Sequence, residues 1–145
     1  MILQFIFAML ATAAFAVIFC APKNQLIFSA LAGGISWITY LIFFEFGFGT
    51  ATASLVATFL LTILSRFFAT LLKKPVTLYL VTGIFTLVPG AGIYYTSYYF
   101  IMNEINEFAA KGIETFKIAG AIAIGIIFGF SIPQKLFYLR KKKLR

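Results

Sequence analysis

The pentapeptide Val88-Pro89-Gly90-Ala91-Gly92 interrupts the apolar stretch 76–102, and its chemistry is that of the main chain itself. Pro89 has no N–H to donate, and in a helix its ring clashes with the carbonyl four residues back, at Phe85. Gly90 and Gly92 loosen the backbone just beyond it. A half-helix ending near Val88 leaves carbonyls unpaired, with partial negative charge. A half beginning near Gly90 presents free N–H groups, with partial positive charge. In lipid such groups must meet protein or a wet cavity, and a broken helix at membrane depth is a recurrent way of building a solute site. A zwitterion can set its carboxylate at the second pole and its ammonium at the first. A dicarboxylate suits only the N–H pole and needs a cation, for which Arg66 is the candidate. A proline kink without ligand accounts for the same residues, and the motif alone does not separate these readings.

Two polar rows accompany the break. Ser54, Thr58, Thr62 and Arg66 are each four apart, hence on one helix face. Either the hydroxyls bond back to carbonyls four residues earlier and Arg66 snorkels to the interface, or this face lines a cavity opposite the break. Thr82, Thr86 and Gly90 form a comparable row leading into it. Tyr94 and Tyr95 lie close to the break, while Tyr98 and Tyr99 fit an aromatic belt at a membrane interface. The expected solute-binding set is therefore Thr82, Thr86, Pro89, Gly90, Ala91, Gly92, Tyr94, Tyr95, Ser54, Thr58, Thr62 and Arg66.

Covalent and metal chemistry find little to work with. The chain has no histidine, no aspartate, a single cysteine at Cys20, and four acids: Glu45, Glu104, Glu107 and Glu114. There is no His-Glu-x-x-His and no Gly-x-Ser-x-Gly. Gly90-Ala91-Gly92 also lacks the Gly-Lys-Ser/Thr of a phosphate loop. No catalytic residue, metal or cofactor is expected.

The elements that position these residues are apolar helices. The composition is 62% hydrophobic and 11% charged, with mean hydropathy +1.02, against ~45–50% apolar and ~25% charged in soluble domains. The runs are too long for strands and show no alternation of period two. The sequence predicts an all-α integral membrane protein, a single membrane domain over 1–145 with five transmembrane helices. Its spans fall at about 1–20, 26–44, 48–66, 76–102 (broken at Pro89-Gly90) and 115–133. Residues 103–114 read as a polar loop and 134–145 as a basic cytoplasmic tail. The first run lacks the positive n-region of a signal peptide. Placing the C-terminus in the cytoplasm and the N-terminus outside puts ten of the twelve Lys and Arg inside, leaving Lys111 and Lys117 outside. The net charge of +8 then reads as orientation, not nucleic-acid binding. The tail serves topology, or anionic lipid. Small residues four apart (Ala121, Gly125 and Gly129; Ser29 and Gly33; Ala30 and Gly34) mark close helix packing, either within the chain or against a partner.

The segment Leu87-Val88-Pro89-Gly90-Ala91-Gly92-Ile93-Tyr94-Tyr95-Thr96, preceded by Lys74-Pro75-Val76-Thr77, resembles the C-terminal-half module of the threonine/serine exporter family. Ala21-Pro22-Lys23, Gly33-Gly34-Ile35-Ser36-Trp37, Gly112-Ile113-Glu114-Thr115 and Ala119-Gly120-Ala121 extend the likeness over essentially the whole chain. It departs where the family often has prolines, at Thr82 and Thr86. The resemblance implies export of small polar metabolites across the bacterial cytoplasmic membrane, driven by the proton gradient. It implies a module either fused behind a larger partner or encoded as a separate small subunit, as a chain of this length suits. Relatives are associated with threonine and serine, and two-component relatives with succinate. With all four acids read at span ends or in the polar loop, the coupling group is expected on the larger companion subunit. A subunit that only scaffolds its partner is the competing reading, and a homo-oligomer is also compatible.

Overall fold

The structure is a computed structural model that describes residues 1–134. The basic tail expected over 134–145 lies outside the described residues from 135 onward. Among the described residues the chain is all-helical: α1 Ile2–Ile18, α2 Leu26–Glu45, α3 Thr50–Leu72, α4 Val76–Ile84, α5 Gly90–Ile101 and α6 Ile105–Ser131, with a 3-10 turn Lys23–Gln25 before α2. Three of them, α2 with its leading turn, α3 and α6, are long and apolar enough to cross a membrane, and α1 is apolar but shorter.

Helix ends follow local chemistry. After α1, Cys20 takes the left-handed conformation, the Cys20 amide donates to Val17 O, and the Ala21 amide reaches back to Ala16 O. That is the Schellman arrangement, which satisfies the last carbonyls of a helix. Gly47 closes α2 and Asn103 closes α5 in the same way, and Lys73 ends α3 with the Lys74 amide on Ala69 O. At α4 the pattern changes. Thr86 N and Leu87 N fall back on Gly83 O and Ile84 O in tight turns, with no left-handed residue.

Packing depends on small residues. α3 and α6 share the most extensive interface: Gly125 lies so close to α3 that a β-carbon there would stand 2.7 Å from the Leu55 carbonyl oxygen, and Gly129 leaves no room beside Thr62. α1 closes on α2 where Gly33 meets Thr12 and Gly34 meets Met9 and Phe5, and α4 reaches α3 where Gly83 meets Leu61. The glycines of the stripes seen in the sequence are thus used inside the chain. The core they frame is Ala32, Ala57, Leu61, Leu80, Leu87 and Ile122. By contrast, α5 buries no residue and packs extensively on α6 alone.

Three boundaries differ from the sequence reading. α3 continues past Arg66 to Leu72, because that arginine finds partners on α6 and does not have to end the helix in water. Residues 103–114 are not a loop: α6 begins at Ile105. Glu, Ala and Lys are good helix formers, and hydropathy alone mistakes their polarity for a loop. The break is also wider than expected. α4 stops at Ile84, four residues before Val88, since proline biases its preceding residue away from helical backbone and withdraws the N–H that the Phe85 carbonyl would need.

Candidate functional site

At the break, Pro89 has φ −76° and ψ 62°, and the Gly90 amide donates to Val88 O at 2.7 Å. This is an inverse γ-turn. It bends the chain between the end of α4 and the start of α5. The carbonyl oxygens of Phe85, Thr86 and Leu87 receive no hydrogen bond among the described residues. The amides of Ala91 and Gly92 likewise have no acceptor among them, and no side chain caps α5. Both poles anticipated from the sequence are therefore present.

Thr86, Leu87, Ala91 and Gly92 of these border a cavity of about 370 Å³, within the size range of small-molecule sites (~300–1,000 Å³). Thr86, Pro89, Gly90, Ala91, Gly92 and Tyr95 line it from the break, and Ser54 lines it from the first turns of α3. Gly92 is needed for close approach, since a β-carbon there would run into the Thr115 side chain of α6. Ser54 Oγ donates to Thr50 O at 2.8 Å and Thr86 Oγ1 to Gly83 O at 2.8 Å, which leaves each hydroxyl able to accept from a solute.

The other expected residues lie elsewhere. Thr58 and Thr62 are buried and bond back to Ser54 O and Thr58 O, pressed against the α6 glycines. Thr82 bonds back to Leu78 O and borders a separate hollow near Cys20 and Pro22. Tyr94 is exposed and stacks on Tyr98. Arg66 is 5% exposed, and its Nη1 donates to Gly129 O at 2.6 Å, Ile132 O at 2.7 Å and Phe130 O at 3.3 Å. These contacts hold the last turn of α6, where a cation complements the helix dipole. The face Ser54-Thr58-Thr62-Arg66 thus meets the cavity only at Ser54.

Eight residues outside the expected set also line the cavity, among them Trp37 and Tyr40 of α2, and Lys111 and Glu114 of α6. Trp37 and Tyr40 stack with ring centroids 5.2 Å apart. Lys111 Nζ donates to Glu114 Oε2 at 2.9 Å, with both side chains nearly half exposed. The i,i+3 spacing of Lys111 and Glu114 carried that signal, but only once residues 103–114 are taken as helix. Of the four acids read at span ends or in the polar loop, Glu114 lines this cavity, placed there by the helical start of α6.

A second hollow of about 440 Å³ lies across Pro89, between α5 and α6. It is apolar: Ile93, Phe116, Ala119 and Ile122 face it, and the hydroxyls of Thr96 and Ser97 are turned back onto α5 carbonyls. The cavity with charge and unpaired main-chain groups is the better candidate for a polar solute.

The family model described as "Threonine/Serine exporter, ThrE" matches residues 4–132. No curated protein and no solved structure matches the chain. The match takes in every helix but the first residues of α1, along with the entire break and both walls of the cavity. The long apolar helices agree with a membrane transporter. The chain belongs to the threonine/serine exporter family.

Proposed function

We propose that the chain is the small subunit of a secondary exporter that moves threonine- or serine-type amino acids out across the bacterial cytoplasmic membrane, driven by the proton gradient. A larger companion subunit completes the pathway. The observation that carries this reading is the pairing of two unpaired carbonyls, Thr86 and Leu87, with two unpaired amides, Ala91 and Gly92, at one cavity. An amino acid is the small solute whose two ends match those two poles. A dicarboxylate fits less well, since one of its ends would face carbonyls and Arg66 is engaged at α6.

In this reading the single membrane domain crosses five times, as α1, α2, α3, the α4–α5 pair and α6, with the N-terminus outside. Lys23, Arg66, Lys73 and Lys74 then fall inside, and Lys111 and Lys117 outside. The cavity opens toward the outer face.

The test is export of radiolabelled threonine and serine from proteoliposomes holding the chain with its companion. Replacing Pro89 and Gly90 together by alanine should abolish transport while the complex still assembles. A scaffold subunit would instead lose assembly or lose nothing, and either result would sink the proposal.

A further inference from the structure

We propose that Glu114 is the carboxylate at which a proton and the ammonium group of the solute compete, with Lys111 as the partner it keeps when the cavity is empty. The inference rests on the exporter reading above and assigns a coupling residue to that same site. Among the described residues Glu114 is the one acid lining the cavity. Glu45 ends α2, Glu104 precedes α6 and Glu107 lies in its first turn, all three exposed. Glu114 is held in place by more than two turns of helix before it. Its bond to Lys111 joins two half-exposed side chains, so both water and solute can reach it. A pair this exposed contributes only about 0–1 kcal/mol and is easily opened.

The groups facing it come from each neighbouring element. α6 supplies Lys111, with Lys117 about one turn and Glu107 about two turns away; α5 supplies Tyr95 across the cavity and Tyr99 beside Lys111. Tyr40 comes from α2, and α3 adds only the Ser54 hydroxyl. Among the described residues no second carboxylate lines the cavity to share the proton.

An arriving zwitterion splits the Lys111–Glu114 pair. Its carboxylate goes to Lys111 and the Ala91 and Gly92 amides, and its ammonium to Glu114. One ion pair is thereby replaced by two. A proton from the outer solution then adds to a Glu114 carboxylate oxygen, giving the neutral acid. The ammonium loses its counter-charge and the solute leaves outward. The acid later releases that proton to water on the inner side, so one proton enters for each amino acid exported.

The experiment uses proteoliposomes of the chain with its companion and labelled threonine and serine. Gradient-driven flux is followed together with exchange in the absence of a gradient, across a range of outer pH. In the wild type the half-saturating outer concentration should rise by up to about tenfold per pH unit on acidification, the limit for one proton against one ligand. Glu114→Gln should keep exchange, with a raised and pH-independent half-saturation, and lose gradient-driven flux. Glu114→Asp should restore both the flux and the pH dependence, and Glu45→Gln should match the wild type. Retention of gradient-driven flux with the wild-type pH profile in Glu114→Gln overturns the assignment. So does loss of exchange in both Glu114 variants, or loss of pH dependence in Glu45→Gln. A wild type that neither exchanges nor exports either amino acid overturns the exporter reading itself.

Discussion

Arg66 Nη1 lies 2.6 Å from the carbonyl oxygen of Gly129, which stands 63 positions further along the chain. The contact ties α3 to the last turn of α6 and gives a buried guanidinium its acceptors. Arg66→Met keeps the apolar stem but strands those carbonyls. Hydrogen bonds to charged groups are worth about 1.5–3 kcal/mol, so a loss of about 2–3 kcal/mol is expected, read as a lower unfolding temperature in detergent. Arg66→Lys should recover part of it. An unchanged melting temperature in Arg66→Met would mean the clasp contributes nothing.

Gly90 and Gly92 are expected to respond differently to one methyl group. A β-carbon at Gly90 meets nothing within 4 Å, whereas at Gly92 it overlaps Thr115. Gly90→Ala should therefore accumulate in the membrane like the wild type, and Gly92→Ala should fall short of it. Overpacking of this kind costs about 1–3 kcal/mol. Thr115→Ala should rescue Gly92→Ala, and the double-mutant cycle should show a coupling above about 0.5 kcal/mol. Simple additivity would refute the contact.

The same logic separates the glycines of α6. Gly125→Ala drives a methyl to 2.7 Å from the Leu55 carbonyl, a backbone atom that cannot step aside, while Gly120→Ala enters open space. Thermal unfolding should show Gly125→Ala clearly destabilised and Gly120→Ala within about 0.5 kcal/mol of the wild type. Equal effects would mean that α3 and α6 do not touch as described.

Cys20 is the sole cysteine and is exposed, a built-in reporter of orientation. With the N-terminus outside, it sits at the inner end of α1. An impermeant maleimide should label it in inverted vesicles and spare it in intact cells. The opposite pattern would reverse the topology.

Much of this arrangement is legible in the residues. Val88-Pro89-Gly90 announces a break because proline removes a donor and glycine relaxes the backbone just past it, and that argument needs no tertiary information. The composition likewise announces apolar helices. What stayed hidden depends on neighbours. Thr58, Thr62 and Arg66 share a face with Ser54, yet periodicity cannot say whether that face meets a cavity or another helix. The glycines of α6 decide it, by drawing α3 into contact along all but the first turns of that row. Lys111 and Glu114 were obscured for the opposite reason. Their polarity imitates a loop, and only the helix beginning at Ile105 turns them toward Tyr40 and the break.

The walls of the cavity are unequally moored. Trp37, Tyr40 and Ser54 belong to α2 and α3, which are gripped on several sides, while Gly90 to Gly92 and Tyr95 belong to α5, whose one substantial neighbour is α6. Rocking that short rod on its single support would widen or pinch the opening and leave the remaining bundle undisturbed. Amide exchange should register the difference, fastest along α5 and slowest at the seam of α3 and α6.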